Sequence, residues 1–526
     1  MLQKRGSVGL KSTSLLSAFK YGKGLKKMQY ISTRNKSLSA LSAAAIKKGL
    51  SAEGGLFVPN QIPTLSLEEI NDMVSMSYIE RAVYVLKKYL TDFSEEELKE
   101  CAEGAYGGEK FSSQSPAPLA ILEKGFGVLE LWHGPTCAFK DMALQILPYF
   151  LTKSMKKTGE DKTVVILVAT SGDTGKAALE GFSDVAGTKI IVFYPSDGVS
   201  DIQKLQMITQ KGDNVFVSGI RGNFDDAQSG VKKIFTDEEA NKAFLENNCV
   251  MSSANSINWG RLVPQIVYYV SAYCDMVANG ETELGESINV CVPTGNFGNI
   301  LAAYYAKKMG VPINKLVCAS NANNVLTDFI NTGKYNKNRE FHTTISPSMD
   351  ILISSNLERL LFDLSENDDK KVSDWMNDLA KNGGYQVEEE IKQKIKDIFW
   401  AGCCDDLLTK KTIGKIKEEY DYTIDTHTAV AVNVYNQYKE ETGDLTPAVI
   451  VSTASPFKFN QSVLSALGKG SEIEQLDDFE LLDLLSKEAK MEIPKSLKEL
   501  KNAEKRFCGI CGKDELLETV KDFLSK

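Results

Sequence analysis

Histidine is nearly absent from this chain: three residues, His133, His342 and His427, among 526. Zinc sites draw their ligands mainly from His and Cys. Only His133 and Cys137 are close neighbours, and Gly134-Pro135 between them argues against one helix face presenting both. No metal centre is predicted. Excess positive charge is missing too. The 61 Lys and Arg are outnumbered by 70 Asp and Glu, giving a formal charge of −9. Such a chain repels nucleic acid and anionic membranes, so neither is an expected partner. No apolar run is long enough to span a bilayer. The 10 cysteines are dispersed, apart from Cys403-Cys404 and the pair Cys508/Cys511. That pattern suits reduced thiols rather than a secreted disulfide framework. A lone C-x-x-C is weak grounds for zinc, and Cys508-Gly-Ile-Cys511 reads as a coincidence near a C-terminal helix.

What is present is ample apolar material: 43% of residues are hydrophobic, enough for a large core divided among domains. Met1 to Lys27 is basic and serine-bearing, with no acid. Two readings stay open, an organellar transit segment or an upstream extension ahead of a working start at Met28; the cytoplasm is the expected location otherwise. Residues 28–110 read as an N-terminal helical subdomain, because Ser66 and Ser94 are each followed three residues later by glutamate, the capping-box spacing. From 111 to 330 apolar runs alternate with helical stretches, as at Val164-Val-Ile-Leu-Val-Ala, Lys189-Ile-Ile-Val-Phe-Tyr, Asn214-Val-Phe-Val and Ile288-Asn-Val-Cys-Val-Pro. Runs of this kind predict parallel strands buried on both faces. The fold class is therefore α/β, with two open twisted sheet lobes and a cleft between them. Residues 331–440 read as a helical insertion without strands, and 441–526 as the return of the second lobe followed by C-terminal helices.

Three segments carry the chemistry. Thr170-Ser-Gly-Asp-Thr-Gly175 ends a predicted strand and opens a helix, where small residues and free N–H groups suit an anion; the plain alternative is a turn capped by Asp173 or Thr174. Pro293-Thr-Gly-Asn-Phe-Gly-Asn299 also joins strand to helix and can wrap a phosphate through its backbone. It contains no cation and is neither a P-loop nor a dinucleotide fingerprint. Leu131-Trp-His-Gly-Pro-Thr-Cys-Ala-Phe-Lys-Asp141 places Lys140 in an apolar stretch, where desolvation would favour the neutral amine. The competing reading is a surface lysine paired with Asp141.

Together these segments resemble threonine synthase. Ser253-Ala-Asn-Ser-Ile-Asn-Trp-Gly-Arg261, Ser452-Thr-Ala-Ser-Pro-x-Lys458, Tyr30-Ile-Ser-Thr-Arg and Glu53-Gly-Gly-Leu-Phe-Val-Pro59 agree, so the likeness runs from Met28 to near the C-terminus. It is nearest the longer branch of the family. The resemblance implies the fold-type II arrangement of pyridoxal 5'-phosphate (PLP) enzymes and conversion of O-phosphohomoserine and water to threonine and phosphate, in a monomer or homodimer. It implies Lys140 as the cofactor-bound lysine and proton shuttle. Gly295, Asn296, Phe297, Gly298 and Asn299 would hold the cofactor phosphate, with Thr453 facing the ring nitrogen. Ser171, Asp173 and Thr174 would lie near the substrate carboxylate and the ring hydroxyl, and Asn255 and Arg261 would grip the substrate phosphate. Related sequences often carry histidine where this chain has Ser455. A phospho-lyase releasing 2-oxobutyrate and a non-catalytic metabolite-binding paralogue are the alternatives.

Overall fold

The computed structural model describes residues 27–525, apart from 171, 197, 198 and 223. In chain order the strands are β1 (Tyr30–Ser32), β2 (Asn35–Ala40), β3 (Phe57–Pro59), β4 (Leu119–Glu123), β5 (Phe126–Glu130), β6 (Thr163–Ala169), β7 (Thr188–Pro195) and β8 (Val215–Arg221). They continue with β9 (Cys249–Ser252), β10 (Ile288–Pro293), β11 (Ile313–Ser320), β12 (Lys334–Asn336), β13 (Gly384–Gln386), β14 (Phe399–Cys403), β15 (Ala448–Ser452) and β16 (Ile510–Gly512).

The apolar runs become the sheet centres. The inner residues Val164–Val168 of β6 are all buried. Both faces are covered because each parallel crossover lays a helix on the sheet. One lobe is a five-stranded sheet in the order β16-β8-β7-β6-β9, parallel throughout. The other is six-stranded, β14-β11-β10-β15-β5-β4, parallel except for the β4–β5 pair. Parallel order puts the carboxyl ends of β5, β10 and β15 on one side of their sheet. Ligands collect beyond such ends.

Three sequence expectations need correction. The 331–440 stretch is mostly helical, yet it contains β12, β13 and β14, and β14 extends the six-stranded sheet beside β11. Phe399-Trp-Ala-Gly-Cys403 sets two strand-favouring aromatics against Ala and Gly and directly follows the charged helix Glu389–Ile398, so a run this short gives no clear strand signal. The segment 119–130 supplies β4 and β5 to the six-stranded sheet, so that lobe begins before the five-stranded one. The C-terminal tail is not confined to the second lobe: β16 pairs with β8, placing Cys511 in the five-stranded sheet.

The N-terminal region has the two expected capping boxes and a third at Ser77/Glu80. It also forms the three-stranded sheet β2-β1-β3 and shares one apolar core with both lobes. Thr33 donates to Glu358 at 2.5 Å, and the Arg34 guanidinium makes a two-pronged contact with the same carboxylate at 2.9 and 2.7 Å. The Tyr30-Ile-Ser-Thr-Arg signature is thus a fastening to the helix Leu357–Leu364. Glu358→Ala strands these donors and is expected to cost roughly 1–3 kcal/mol in urea unfolding; an unchanged midpoint would show that the fastening adds nothing.

Candidate active site

The Lys140 loop is laid against the end of β15 by backbone hydrogen bonds. Leu131 N–H donates to Ser452 O (2.9 Å), Phe139 N–H to Thr453 O (2.8 Å), and Ser455 N–H to Cys137 O (3.0 Å). Ala138 and Ala454 form an antiparallel bridge. Lys140 and Thr453 therefore lie together although more than three hundred positions separate them. Asp141 does not pair with Lys140. Its buried carboxyl accepts from Thr136 N–H and Oγ1–H, both at 2.8 Å, and fixes the turn ahead of the helix Asp141–Leu144. Gly134 has to be glycine here, since a Cβ would lie 2.5 Å from Asp141 Oδ2. Burial pushes the Asp141 carboxyl up to about 7, against the hydrogen bonds from Thr136.

The Lys140 side chain is only 12% exposed, which excludes the surface-lysine reading. Its Nζ lies 3.9 Å from Asp173 Oδ2 and 3.5 Å from Ser348 Oγ. Burial brings the ammonium down to about 8; Asp173 opposes the shift, while Arg261 and Lys458 add to it.

After β6, the cap of the helix Asp173–Phe182 comes from Thr170, whose Oγ1 accepts from the N–H groups of Gly172 (3.0 Å) and Gly175 (2.9 Å). Neither Asp173 nor Thr174 caps it. Gly172 has φ 137°, and a Cβ there would come within 2.5 Å of the Gln203 amide. Asp173 is buried and pairs with Lys458 at 2.6 Å, with Gln203 Nε2 donating to it at 3.0 Å. Burial alone would raise this carboxyl, but Lys458 and Lys140 outweigh it and hold the group well below the usual carboxylate range. Thr174 follows, half-buried, in the first helical turn; Ser171 lies outside the described residues.

Beyond β10, Phe297 adopts a left-handed conformation (φ 61°) and Gly298 opens the helix Gly298–Met309. The loop is braced from outside. Ser354 Oγ donates to Gly295 O at 2.8 Å, and Asn356 donates to Asn296 O through both its backbone and side-chain nitrogens. A Cβ at Gly295 would sit 2.8 Å from Ser348 O. Tyr268 and Tyr269 both donate to Asn299 Oδ1, at 2.5 and 2.6 Å, while the buried Asn299 Nδ2 has no partner among the described residues.

Arg261 lies in the first turn of the helix Trp259–Ala278 and is 5% exposed. Its Nη1 donates to Ala254 O at 2.8 Å, yet it forms no ion pair among the described residues. Burial brings the guanidinium down to about 10. Asn255 is half-buried just before this helix. Sequence reasoning missed four contributors. Lys458 stood in a quoted motif without a role. Gln203, Gln206 and Ser348 carry no motif, and only contact in space reveals them. His427 supports Ser348 from behind: its Nε2 accepts from Ser348 N–H at 3.1 Å and its Nδ1–H donates to Asp425 at 2.7 Å.

Residues 29–106 match the family described as threonine synthase N terminus, 120–390 pyridoxal-phosphate dependent enzyme, and 428–524 threonine synthase, C-terminal. Human threonine synthase-like 1 is 39% identical over 520 residues, covering 95% of this chain and 69% of the relative. Threonine synthase of Pseudomonas aeruginosa is 38% identical over 440 residues, covering 84% and 90% respectively. A PLP-bound threonine synthase structure from Brucella melitensis superposes with TM-score 0.83 at 34% identity, covering 94% of this chain and 98% of that one. The chain belongs to the threonine synthase family. It is a PLP-dependent lyase of the fold-type II kind. The residues present fit that cofactor: a glycine-bearing loop at a helix N-terminus, with the unpartnered Asn299 Nδ2 beside it, can take the phosphate, and a desolvated Lys140 can meet the carbonyl.

In the cofactor-free chain, Lys140 is expected to react with a small amine reagent with a pH midpoint about 8, read on its own peptide by mass spectrometry. A midpoint near the ordinary lysine value, about 10.4, would contradict the burial argument.

Proposed function

We propose that the protein is a threonine synthase that converts O-phospho-L-homoserine and water to L-threonine and phosphate. The observation carrying this reading is Arg261, a buried cation whose field reaches Lys140 and which has no carboxylate to neutralise it among the described residues. A buried charge without a partner is costly, and a phosphorylated substrate supplies the missing anion. Arginine's planar fork suits phosphate, with Asn255 as a second donor. The N-terminal end of the helix Asp173–Phe182, including Thr174, suits the substrate carboxylate.

When bound, PLP supplies the electron sink that makes protons on carbons near the amino group removable. Lys140 is placed to move them. It takes the proton from Cα, then one from Cβ as phosphate leaves Cγ, and returns a proton to Cγ; water then gives its hydroxyl to Cβ and its remaining proton to the released phosphate, and a proton returned to Cα by Lys140 completes threonine. An amine with a pKa about 8 serves both as acceptor and donor near neutral pH. The deprotonated fraction of Lys140 grows as pH rises toward that value. Thr453, beside the loop, would face the ring nitrogen, and a hydroxyl there does not require that nitrogen to be protonated. Gly295 to Asn299 would fix the cofactor phosphate.

The deciding experiment incubates the PLP-loaded protein with O-phosphohomoserine and quantifies threonine, 2-oxobutyrate and phosphate together. Threonine equal to phosphate is expected; 2-oxobutyrate equal to phosphate would make it a phospho-lyase, and no phosphate would end the catalytic reading. Arg261→Met should raise KM about 10- to 100-fold, the scale of charged hydrogen bonds, while leaving folding stability intact because it removes an unpaired buried charge. An unchanged KM would remove Arg261 from the phosphate site.

A further inference from the structure

We propose that Lys458 is a positioning residue, the standing counter-ion that holds Asp173 in place and leaves one of its oxygens facing Lys140. The inference rests on Lys140 being the cofactor-binding lysine. The Lys458 side chain is completely buried. Its three N–H donors meet three acceptors: Asp173 Oδ1 at 2.6 Å, Thr136 O at 3.1 Å and Gln206 Oε1 at 3.3 Å. A lysine ammonium has no further donor to offer a ligand. It therefore neither touches the reacting atoms nor grips substrate. Its partners come from separate parts of the fold. Thr136 is on the Lys140 loop, Asp173 opens the helix Asp173–Phe182, Gln206 lies on the helix Asp201–Ile208, and Lys458 itself follows β15. One ammonium thus ties both lobes together where Lys140 stands between them.

The division of Asp173 is what bears on the chemistry. Oδ1 takes Lys458 and Gln203, whereas Oδ2 faces Lys140 at 3.9 Å and Ser348 Oγ at 3.4 Å. Lys140 must give up its ammonium charge to work as an amine. If Lys140 were the only cation beside this buried carboxylate, losing that charge would strand Asp173 unpaired, and the lysine would cling to its proton. Lys458 removes the dependence. The other charged groups around Lys140 are Arg261, which also favours the neutral amine, and the Asp141 carboxyl, which Thr136 holds.

The test is the pH profile of Lys140 labelling in the full, cofactor-free chain, with turnover of the loaded protein measured alongside. Lys458→Met is expected to raise the Lys140 midpoint by about one unit, the size of a partner-charge effect. It should lower kcat about tenfold at pH 7 with little change in KM. Lys458→Arg keeps the charge and should restore the midpoint. Asp173→Asn should move it down, and this second variant decides the matter if Lys458→Met does not fold. A midpoint that stays put or falls in Lys458→Met, or fails to fall in Asp173→Asn, overturns the proposal. Turnover surviving in Lys140→Ala would instead overturn the reading of the site, while the labelling shifts at Lys458 and Asp173 would stand.

Discussion

Asp173 is a carboxylate shut away from water where the two lobes meet, and the surrounding site is organised by the need to keep it ionised. Desolvation alone would protonate it. Lys458 and Lys140 prevent that, and Gln203 adds a neutral donor. Each of these groups arrives on a different segment, so the carboxylate sets the spacing between the end of β6, the end of β15 and the Lys140 loop. The ordinary rule that a buried ion pair adds little to stability holds here as well. What such a pair contributes is placement, because neither partner can move without leaving the other uncompensated.

The same electrostatics separates the site's cations into two kinds. Lys458 is saturated by its three acceptors and serves the protein. Arg261 has one backbone carbonyl and no ion pair among the described residues, which leaves most of its donors for a ligand. Lys140 lies between these extremes, near one carboxylate oxygen but not bonded to it. An amine held that way is stabilised enough to be protonated below about 8 and free enough to lose the proton above it. Lys140, Lys458 and Arg261 outnumber the two carboxyls, Asp173 and Asp141, gathered around Lys140, in a chain whose overall charge is −9. That inversion favours an anionic ligand.

Much of this was legible in the sequence. The parallel strands at β6, β7, β8 and β10 announced themselves as apolar runs, and the glycine-bearing turns that follow β6 and β10 are where the residues said they would be. Local composition carries that information because buried parallel strands admit little else. The strands β14 and β16 escaped notice because one is a short run that mixes aromatics with Ala and Gly directly after a charged helix and the other spans three positions; what holds them is pairing with distant neighbours. The site divides similarly. Lys140, Asp173 and Arg261 sit in recognisable motifs. Ser348, Gln203 and Gln206 do not, because their significance lies entirely in what the fold brings against them.

Ser455 shows how a motif position can hold its place without its side chain. The resemblance raised the question of what is lost where related sequences have histidine. Here the Ser455 hydroxyl is buried and has no partner among the described residues, whereas its backbone N–H donates to Cys137 O and its carbonyl accepts from Lys458 N–H. Both bonds are main-chain bonds that a residue of either type can make. They anchor the Lys140 loop on one side and the turn bearing Lys458 on the other. What this position supplies to the site is therefore the path of the backbone between its two buried lysines, and that supply survives exchange of the side chain.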